Sequence, residues 1–326
     1  MESLTRCTPR HRSPVMRQLR PSPAGVVLCG CGPSTTAPER AICARVAETS
    51  EFTTSDGVVI RFACRGTGRP LYLCHGGPLG DRRGMAAQVS ALRDRFTLVS
   101  YDYRGSGASS TAHASTYDFE HLADDLDELR VHLGHEHVDV LAHSMGVSVA
   151  LHFALRHSHS VRRIALAGGT PLSANRMRWT MMRTLGLRRL LEVQARGLIY
   201  LVWWSWRAPS PCRDMALIRL SEATGKSDRL FRHERLAPVL DNDNASYIQR
   251  AYLNLDVTDQ LDRISQRVLV LYGERDAIAL AGASKFAALP HVEFAALPRI
   301  GHEVLADAPK QALDRISDFF DNQDED

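Results

Sequence analysis

Ser144 occupies the position in the sequence that most strongly suggests chemistry. A short β-branched run from Val138 to Leu141 comes before it, and an apolar segment with helical spacing follows it. Small residues, Ala142 and Gly146, lie two positions away on either side, where a larger side chain would collide with a neighbouring strand or helix. Strand, sharp turn and helix in this order are typical of a nucleophile elbow, which lifts a serine hydroxyl clear of a sheet. The pattern predicts that Ser144 is a catalytic nucleophile, and the alternative is a serine that only caps a helix.

A pair of glycines could supply hydrogen-bond donors to the same reaction. The predicted strand Leu71–Cys74 runs directly into a His-Gly-Gly-Pro sequence at 75–78. Two glycines let the backbone approach a bound substrate closely. The amide of Gly77 is therefore predicted to be one donor of an oxyanion hole, and the amide of Met145, next to the predicted nucleophile, is predicted to be the other. The alternative is a plain glycine turn.

Two acidic residues compete for the role of orienting a catalytic histidine. Glu274 and Asp276 both follow the apolar predicted strand Val268–Tyr272. An acid on a loop beyond a strand end can reach a histidine and hold its tautomer. Asp276 is the predicted acid and Glu274 is its rival, while the alternative is an ordinary polar turn.

His302 is the predicted base among the 14 histidines of the chain. It lies on the loop after the last predicted strand, Val292–Leu297. Many other histidines fall in polar or amphipathic stretches and are expected to be solvated. His143 lies inside the predicted elbow, but we expect its side chain to point away from the nucleophile. The chain order serine, acid, histidine is the order expected for a triad built around this kind of elbow.

These motifs, in this order, make residues 50–322 resemble the α/β-hydrolase fold family. The Asp-Tyr-Arg-Gly-Ser-Gly turn at 102–107 resembles a further signature of that family, and we expect it only to support the site. The resemblance implies an α/β fold with a mostly parallel, eight-stranded-type sheet, helices on both faces and an inserted helical cap. It also implies a serine hydrolase that acts through Ser144, His302 and Asp276 and forms an acyl-enzyme.

Within that family, the His-Gly-Gly-Pro sequence resembles the entrance motif of proline iminopeptidases. Leu79 and Met145 depart from that narrower pattern, because those enzymes usually have glycine and tryptophan at these positions. Epoxide hydrolases and haloalkane dehalogenases share the fold but use an aspartate nucleophile, so Ser144 argues against both. The expected substrate is a small ester, lactone, amide or related carbonyl compound. A proline iminopeptidase-like aminopeptidase and a non-catalytic, small-ligand-binding member of the fold are the alternatives.

The chain divides into three predicted regions. Residues 1–47 are rich in Arg, Pro, Ser and Thr without apolar periodicity, and we expect a disordered tail. Residues 48–170 and 258–322 alternate strand-like and helical patterns, which favours a parallel sheet covered on both faces. Residues 171–257 read as helices without a clear strand and are the predicted cap. Ligands of open α/β sheets bind beyond the carboxyl ends of the strands, so this cap is expected to line the pocket.

Seven strands and two helices are predicted in the core. The strands are expected near Val58–Cys64, Leu71–Cys74, Thr97–Tyr101, Val138–Ala142, Arg163–Ala167, Val268–Tyr272 and Val292–Leu297. The helices are expected over Phe119–Leu133 and from Pro309 to about Phe320, since both stretches place apolar residues on one face.

Composition excludes several other classes of function. The formal charge of the 326 residues is only +3, and seven arginines against three glutamates in residues 1–50 account for it. No basic nucleic-acid groove is therefore expected. The seven cysteines show no zinc or redox spacing, and no apolar run reaches the ~20 residues of a membrane span. We expect a cytoplasmic enzyme with a small-molecule substrate, no cofactor and no metal, and the sequence predicts no oligomeric state.

Overall fold

The structure, a computed structural model, describes residues 49–77, 80–173 and 255–321, together with residues 176, 180, 247, 248 and 251. The predicted tail at 1–47 and most of the predicted cap at 171–257 lie outside the described residues, so both remain predictions. Pro78 and Leu79 of the glycine loop also lie outside them.

One mixed sheet forms the centre of the described chain. Its strands are β1 (Ser50–Thr53), β2 (Val59–Arg65), β3 (Arg69–Cys74), β4 (Phe96–Tyr101), β5 (Val138–His143), β6 (Val161–Ala167), β7 (Arg267–Gly273) and β8 (Val292–Leu297). Within the described residues these eight strands lie in the order β1-β2-β4-β3-β5-β6-β7-β8. β2 is antiparallel to both of its neighbours, and the other neighbouring pairs are parallel. The predicted fold class, a mostly parallel eight-stranded sheet, is confirmed.

Helices pack on both faces of this sheet. The α-helices among the described residues are α1 (Arg82–Gln88), α2 (Phe119–His132), α3 (Gly146–Arg156), α4 (Ala277–Gly282), α5 (Val304–Asp307) and α6 (Pro309–Asp321). Short 3₁₀ turns cover Ser90–Asp94, Ala114–Thr116, Ser158–Ser160, Thr258–Arg263 and Ala283–Ala288. Both helices predicted from apolar spacing are present, with ends within one residue of the expected ones.

Two apolar cores separate the helices from the sheet. On one face, α2 buries the stripe Leu122, Leu126 and Leu129 together with residues of α3. On the other face, α6 buries Ile316 and Phe320 beside residues of α1. Parallel strands buried on both faces read as continuous apolar runs, which is why most of the sheet is visible in the sequence.

One strand, β1, is missing from the prediction, and β3 and β6 each begin two residues earlier than expected, whereas the ends of the other strands agree to within one residue. β1 is not predicted from the sequence, because Phe52 is the single buried residue of its four and no alternating pattern results. β3 begins two residues earlier than expected and includes Pro70. Proline is tolerated there because it lies at the start of the strand, before the pairing of β3 with β5 begins at Leu71.

The start of α3 lies very close to the end of β3. A Cβ placed on Gly146 would lie 2.2 Å from the carbonyl oxygen of Cys74 and 2.7 Å from that of His75. These atoms belong to the backbone of a central strand and the loop that follows it, so they cannot move away cheaply. Glycine at this position lets the helix that follows Ser144 approach the sheet.

We expect Gly146→Ala to lower the free energy of unfolding by about 1–3 kcal/mol, because the new methyl group forces backbone apart. Urea denaturation of the purified protein measures this change. Gly84→Ala is the matched control: Gly84 lies in α1, and no neighbouring atom is within 4 Å of the place that a methyl group would take. That substitution should stabilise the protein by roughly 0.5–1 kcal/mol. Equal effects of the two substitutions would contradict the close contact.

Candidate active site

The side chains of Ser144, His302 and Asp276 form one continuous chain of hydrogen bonds. The hydroxyl of Ser144 donates to Nε2 of His302 over 2.9 Å. Nδ1 of the same ring donates to Oδ2 of Asp276 over 3.0 Å. Ser144 follows β5, Asp276 follows β7 and His302 follows β8, so the three groups meet beyond the carboxyl ends of the strands.

Ser144 has a backbone conformation that few residues other than glycine adopt. Its φ angle is +53°, and among the described non-glycine residues only Arg299 also has a positive φ. Such a conformation costs roughly 1–3 kcal/mol and persists where the surrounding structure holds it. Here the amide of Ser144 donates to the carbonyl of Ala167 on β6 over 2.9 Å, and its carbonyl accepts from Val147 in α3 over 3.1 Å. The strand and the helix together hold the strained turn.

Asp276 is fixed by the start of α4. Its Oδ1 accepts hydrogen bonds from the amides of Ile278 at 2.9 Å and Ala279 at 3.2 Å, which leaves Oδ2 for His302. The residue is only 2% exposed. Its rival Glu274 is exposed and accepts from the amide of Arg299 over 3.2 Å. Of the two acids that the sequence offers, the structure brings Asp276 to His302.

The pKa of His302 is raised above its ordinary value. Burial alone would lower the pKa of this imidazole, because burial disfavours the charged ring. The charge of Asp276, its hydrogen bond and the charge of Glu303 outweigh that effect. Because both ring nitrogens have partners, the tautomer is also fixed, with Nε2 turned towards the hydroxyl.

The glycine loop after β3 lies against the turn that holds Ser144. A Cβ placed on Gly76 would lie 3.1 Å from Cβ of Ser144, so the two segments are in direct contact. Gly77 is next along this loop, and Met145 lies at the N-terminal end of α3. In the described part of the chain, neither the Gly77 amide nor the Met145 amide donates a hydrogen bond to another group.

The turn at 102–107 packs against the glycine loop. The hydroxyl of Tyr103 donates to the carbonyl of His75 over 2.9 Å, and the two rings stack with centroids 3.9 Å apart. Asp102 is buried and accepts from the amides of Arg82 at 2.8 Å and Ala108 at 3.0 Å. These contacts agree with a supporting role for this turn.

Sequence reasoning missed two residues at this site, His143 and Glu303. The ring of His143 lies beside that of His302, with centroids 5.5 Å apart, and Nε2 of His143 is 3.5 Å from the carbonyl of His302. Its Nε2 is 3.8 Å from a carboxylate oxygen of Glu303. The sequence favours a His143 side chain directed away from Ser144, whereas in the structure this ring packs against the loop that carries His302. Each missed residue is the chain neighbour of a predicted site residue, and that adjacency is the signal available in the sequence.

His143, His302 and Glu303 are also the described residues whose spacing suits a metal ion. One possible ligand atom from each lies within 4.8 Å of the other two. Both ring nitrogens of His302 already take part in hydrogen bonds, to Ser144 and Asp276. A metal ion could therefore use His302 only by breaking the hydrogen-bonded chain.

No helix among the described residues is long and apolar enough to cross a membrane.

Comparison with known families places most of the chain in one of them. Residues 69–309 match the model of a family described as the alpha/beta hydrolase fold. The chain belongs to this family. The α/β hydrolase is therefore a hydrolase by class, and its eight-stranded sheet is the sheet expected of that membership.

Similar proteins include hydrolases of different kinds. The α/β hydrolase is 26% identical over 249 residues to a proline iminopeptidase, PfmaB, of Pestalotiopsis fici, covering 73% of this chain and 86% of that one. It is 24% identical over 271 residues to a putative carbamate hydrolase, RutD, of Caulobacter vibrioides, covering 77% and 94%. A solved structure of a thermophilic esterase from Thermogutta terrifontis matches its fold with a TM-score of 0.61 and 24% identity, over 84% of this chain and 98% of that one.

We expect Asp276→Asn to lower the pKa of His302, because it removes the negative charge and the acceptor that favour the protonated ring. Turnover of an ester substrate should also fall, by about 10⁴-fold, since an amide can hold the wrong tautomer. NMR titration of the His302 ring and steady-state kinetics measure the two effects. Glu274→Gln is the matched control and should change neither. The reverse ranking of the two variants would transfer the role of the acid to Glu274.

Proposed function

We propose that this α/β hydrolase is a serine hydrolase that uses Ser144 as nucleophile, His302 as base and Asp276 as the acid that orients the base. The observation that carries the proposal is the unbroken hydrogen-bond chain from the Ser144 hydroxyl through His302 to Asp276. The strained turn at Ser144 supports it, because such strain is found where a group must be held in one position.

Acyl transfer in two steps is the reaction that this arrangement suits. Nε2 of His302 removes the hydroxyl proton as Oγ of Ser144 bonds to the substrate carbonyl carbon. The tetrahedral intermediate then breaks its bond to the leaving group, which takes the proton from His302, and an acyl-enzyme remains. His302 next removes a proton from water, which attacks the acyl carbon, and Ser144 recovers its proton as the acid product leaves. Asp276 stabilises the imidazolium formed in each step.

Two backbone amides would bind the oxyanion of both tetrahedral intermediates. The amides of Gly77 and Met145 lie on the two segments that flank Ser144, and neither is used within the described chain. A donor held in place before the reaction needs no reorganisation as charge develops on the oxygen. Loss of one such donor typically costs roughly 2.7–4 kcal/mol of transition-state stabilisation.

The proposed substrate is a small ester, lactone, amide or related carbonyl compound. A serine triad without a further catalytic group suits any of these, and the relatives named as esterase and carbamate hydrolase support this range.

A proline iminopeptidase-like aminopeptidase is the second candidate, favoured by the His-Gly-Gly-Pro sequence and by the relative of that name. An aminopeptidase needs carboxylates that hold the substrate ammonium. The cap glutamates that could serve, Glu192, Glu222 and Glu234, lie outside the described residues.

A non-catalytic member of the fold that binds a small ligand is the third alternative. Such a protein has no need to keep a nucleophile, a base and an acid in hydrogen-bond contact. The presence of all three groups at 2.9 and 3.0 Å therefore weighs against it.

A fluorophosphonate probe should label the wild-type protein at Ser144, because the activated hydroxyl attacks the phosphorus. Ser144→Ala should remain folded and unlabelled, since the substitution removes only one oxygen. Intact-protein mass spectrometry measures the labelling, and circular dichroism checks the fold. A folded wild-type protein without label would favour the ligand-binding alternative, and label on Ser144→Ala would exclude Ser144 as the nucleophile.

Aryl esters and lactones should be hydrolysed with a higher kcat/KM than an N-terminal prolyl amide. Leu79 and Met145 depart from the iminopeptidase pattern, and esters have the better leaving group. Steady-state rates on a panel of these three substrate types, with Ser144→Ala as the blank, measure the preference. A higher kcat/KM for the prolyl amide would favour the aminopeptidase.

A further inference from the structure

Glu303 is a second carboxylate beside the base, and nothing in the proposed mechanism uses it yet. We propose that Glu303 acts as a positioning residue whose negative charge stabilises the protonated form of His302 during the reaction. This inference rests on the proposed function, because it assigns a task to Glu303 in the step where His302 takes the proton of Ser144.

The first support is distance. A carboxylate oxygen of Glu303 lies within 4.8 Å of a ring nitrogen of His302 and 3.8 Å from Nε2 of His143. The Glu303 side chain is 22% exposed and that of His302 is 25% exposed. Charges this close and this well shielded from water interact more strongly than a surface pair.

The second support is that the Glu303 carboxylate does not cap the helix that follows it. Glu303 precedes α5 as its N-cap residue, yet its side chain makes no capping hydrogen bond. The backbone carbonyl of Glu303 instead accepts from the amides of Ala306 at 3.0 Å and Asp307 at 2.7 Å. The turn that begins α5 is therefore held by backbone atoms, and the side chain is left to face the two imidazoles.

The third support is the set of charges around the base. Among the described residues, the titratable groups that face His302 are Asp276 from the loop after β7, His143 from the end of β5, Ser144 and Glu303 itself. Burial lowers the pKa of His143, which disfavours a positive charge on this ring beside Glu303. Both carboxylates raise the pKa of His302.

The consequence for the reaction follows from the path of the proton. When the proton of Ser144 moves to His302, the ring becomes a cation with two carboxylates nearby, those of Asp276 and Glu303. The charge of Glu303 therefore favours the transition state in which this cation forms. It also raises the pH below which the free enzyme holds a protonated, inactive base.

The test is the pH profile of inactivation by a fluorophosphonate, which needs the deprotonated base and no knowledge of the natural substrate. Glu303→Gln should move the acidic limb of the profile to lower pH by about half a pH unit or more, since the lost charge had favoured the protonated ring. At pH values above the limb, the rate constant should fall about threefold or more. Glu303→Asp should move the limb less than Glu303→Gln does.

Glu274→Gln is the matched control, because it removes the same charge from the adjacent loop at an exposed position. The acidic limb of its inactivation profile should coincide with that of the wild type. A limb for Glu303→Gln that also coincides with the wild type, in a protein of unchanged melting temperature, would overturn the inference. If the melting temperature of Glu303→Gln falls, NMR titration of His302 in that variant, well below its melting temperature, decides instead, and a His302 pKa equal to that of the wild type overturns the inference. Label on Ser144→Ala is a separate result, which would overturn the proposed function.

Discussion

The structure of the site depends on one imidazole that is hydrogen-bonded on both sides. Nδ1 of His302 donates to Asp276 and Nε2 accepts from Ser144, so the ring cannot rotate or change tautomer without losing a partner. The partners are 26 and 158 residues away in the sequence. The fold must therefore bring three distant loops together to within the length of a hydrogen bond, and for the proposed reaction a shift of about 1 Å in any of them would cost much of the rate.

The parallel sheet makes that precision possible. β5, β6, β7 and β8 are consecutive neighbours and run in the same direction, so the loops after them emerge at one edge. These loops approach one another closely at glycines, which have no side chain. A Cβ placed on Gly168, which has a φ of +61°, would lie 2.7 Å from the carbonyl of His302. Glycine after β6 thus leaves space for the loop that carries His302 to approach the turn at Ser144.

The sequence predicts much of this arrangement, and the failures have physical causes. Buried strands appear as apolar runs and amphipathic helices as apolar stripes, so most elements can be found, whereas β1 has a single buried residue and no pattern. Ser144, Asp276 and His302 can be named because each lies on a loop directly after a strand. The packing of His143 against His302 and the approach of Glu303 depend on the distance between two loops, which no local pattern encodes. The choice between Asp276 and Glu274 needs the start of α4, whose amides fix the Asp276 side chain.

Trapping of the covalent intermediate shows directly whether Ser144 is the nucleophile. The protein would be mixed with p-nitrophenyl acetate, quenched in acid within milliseconds, digested and examined by mass spectrometry. If Ser144 is the nucleophile, one acetyl group is expected on the peptide that contains Ser144, formed and lost at rates compatible with turnover. An acetyl group on a different residue, or ester hydrolysis that continues at the wild-type rate in Ser144→Ala, would contradict it.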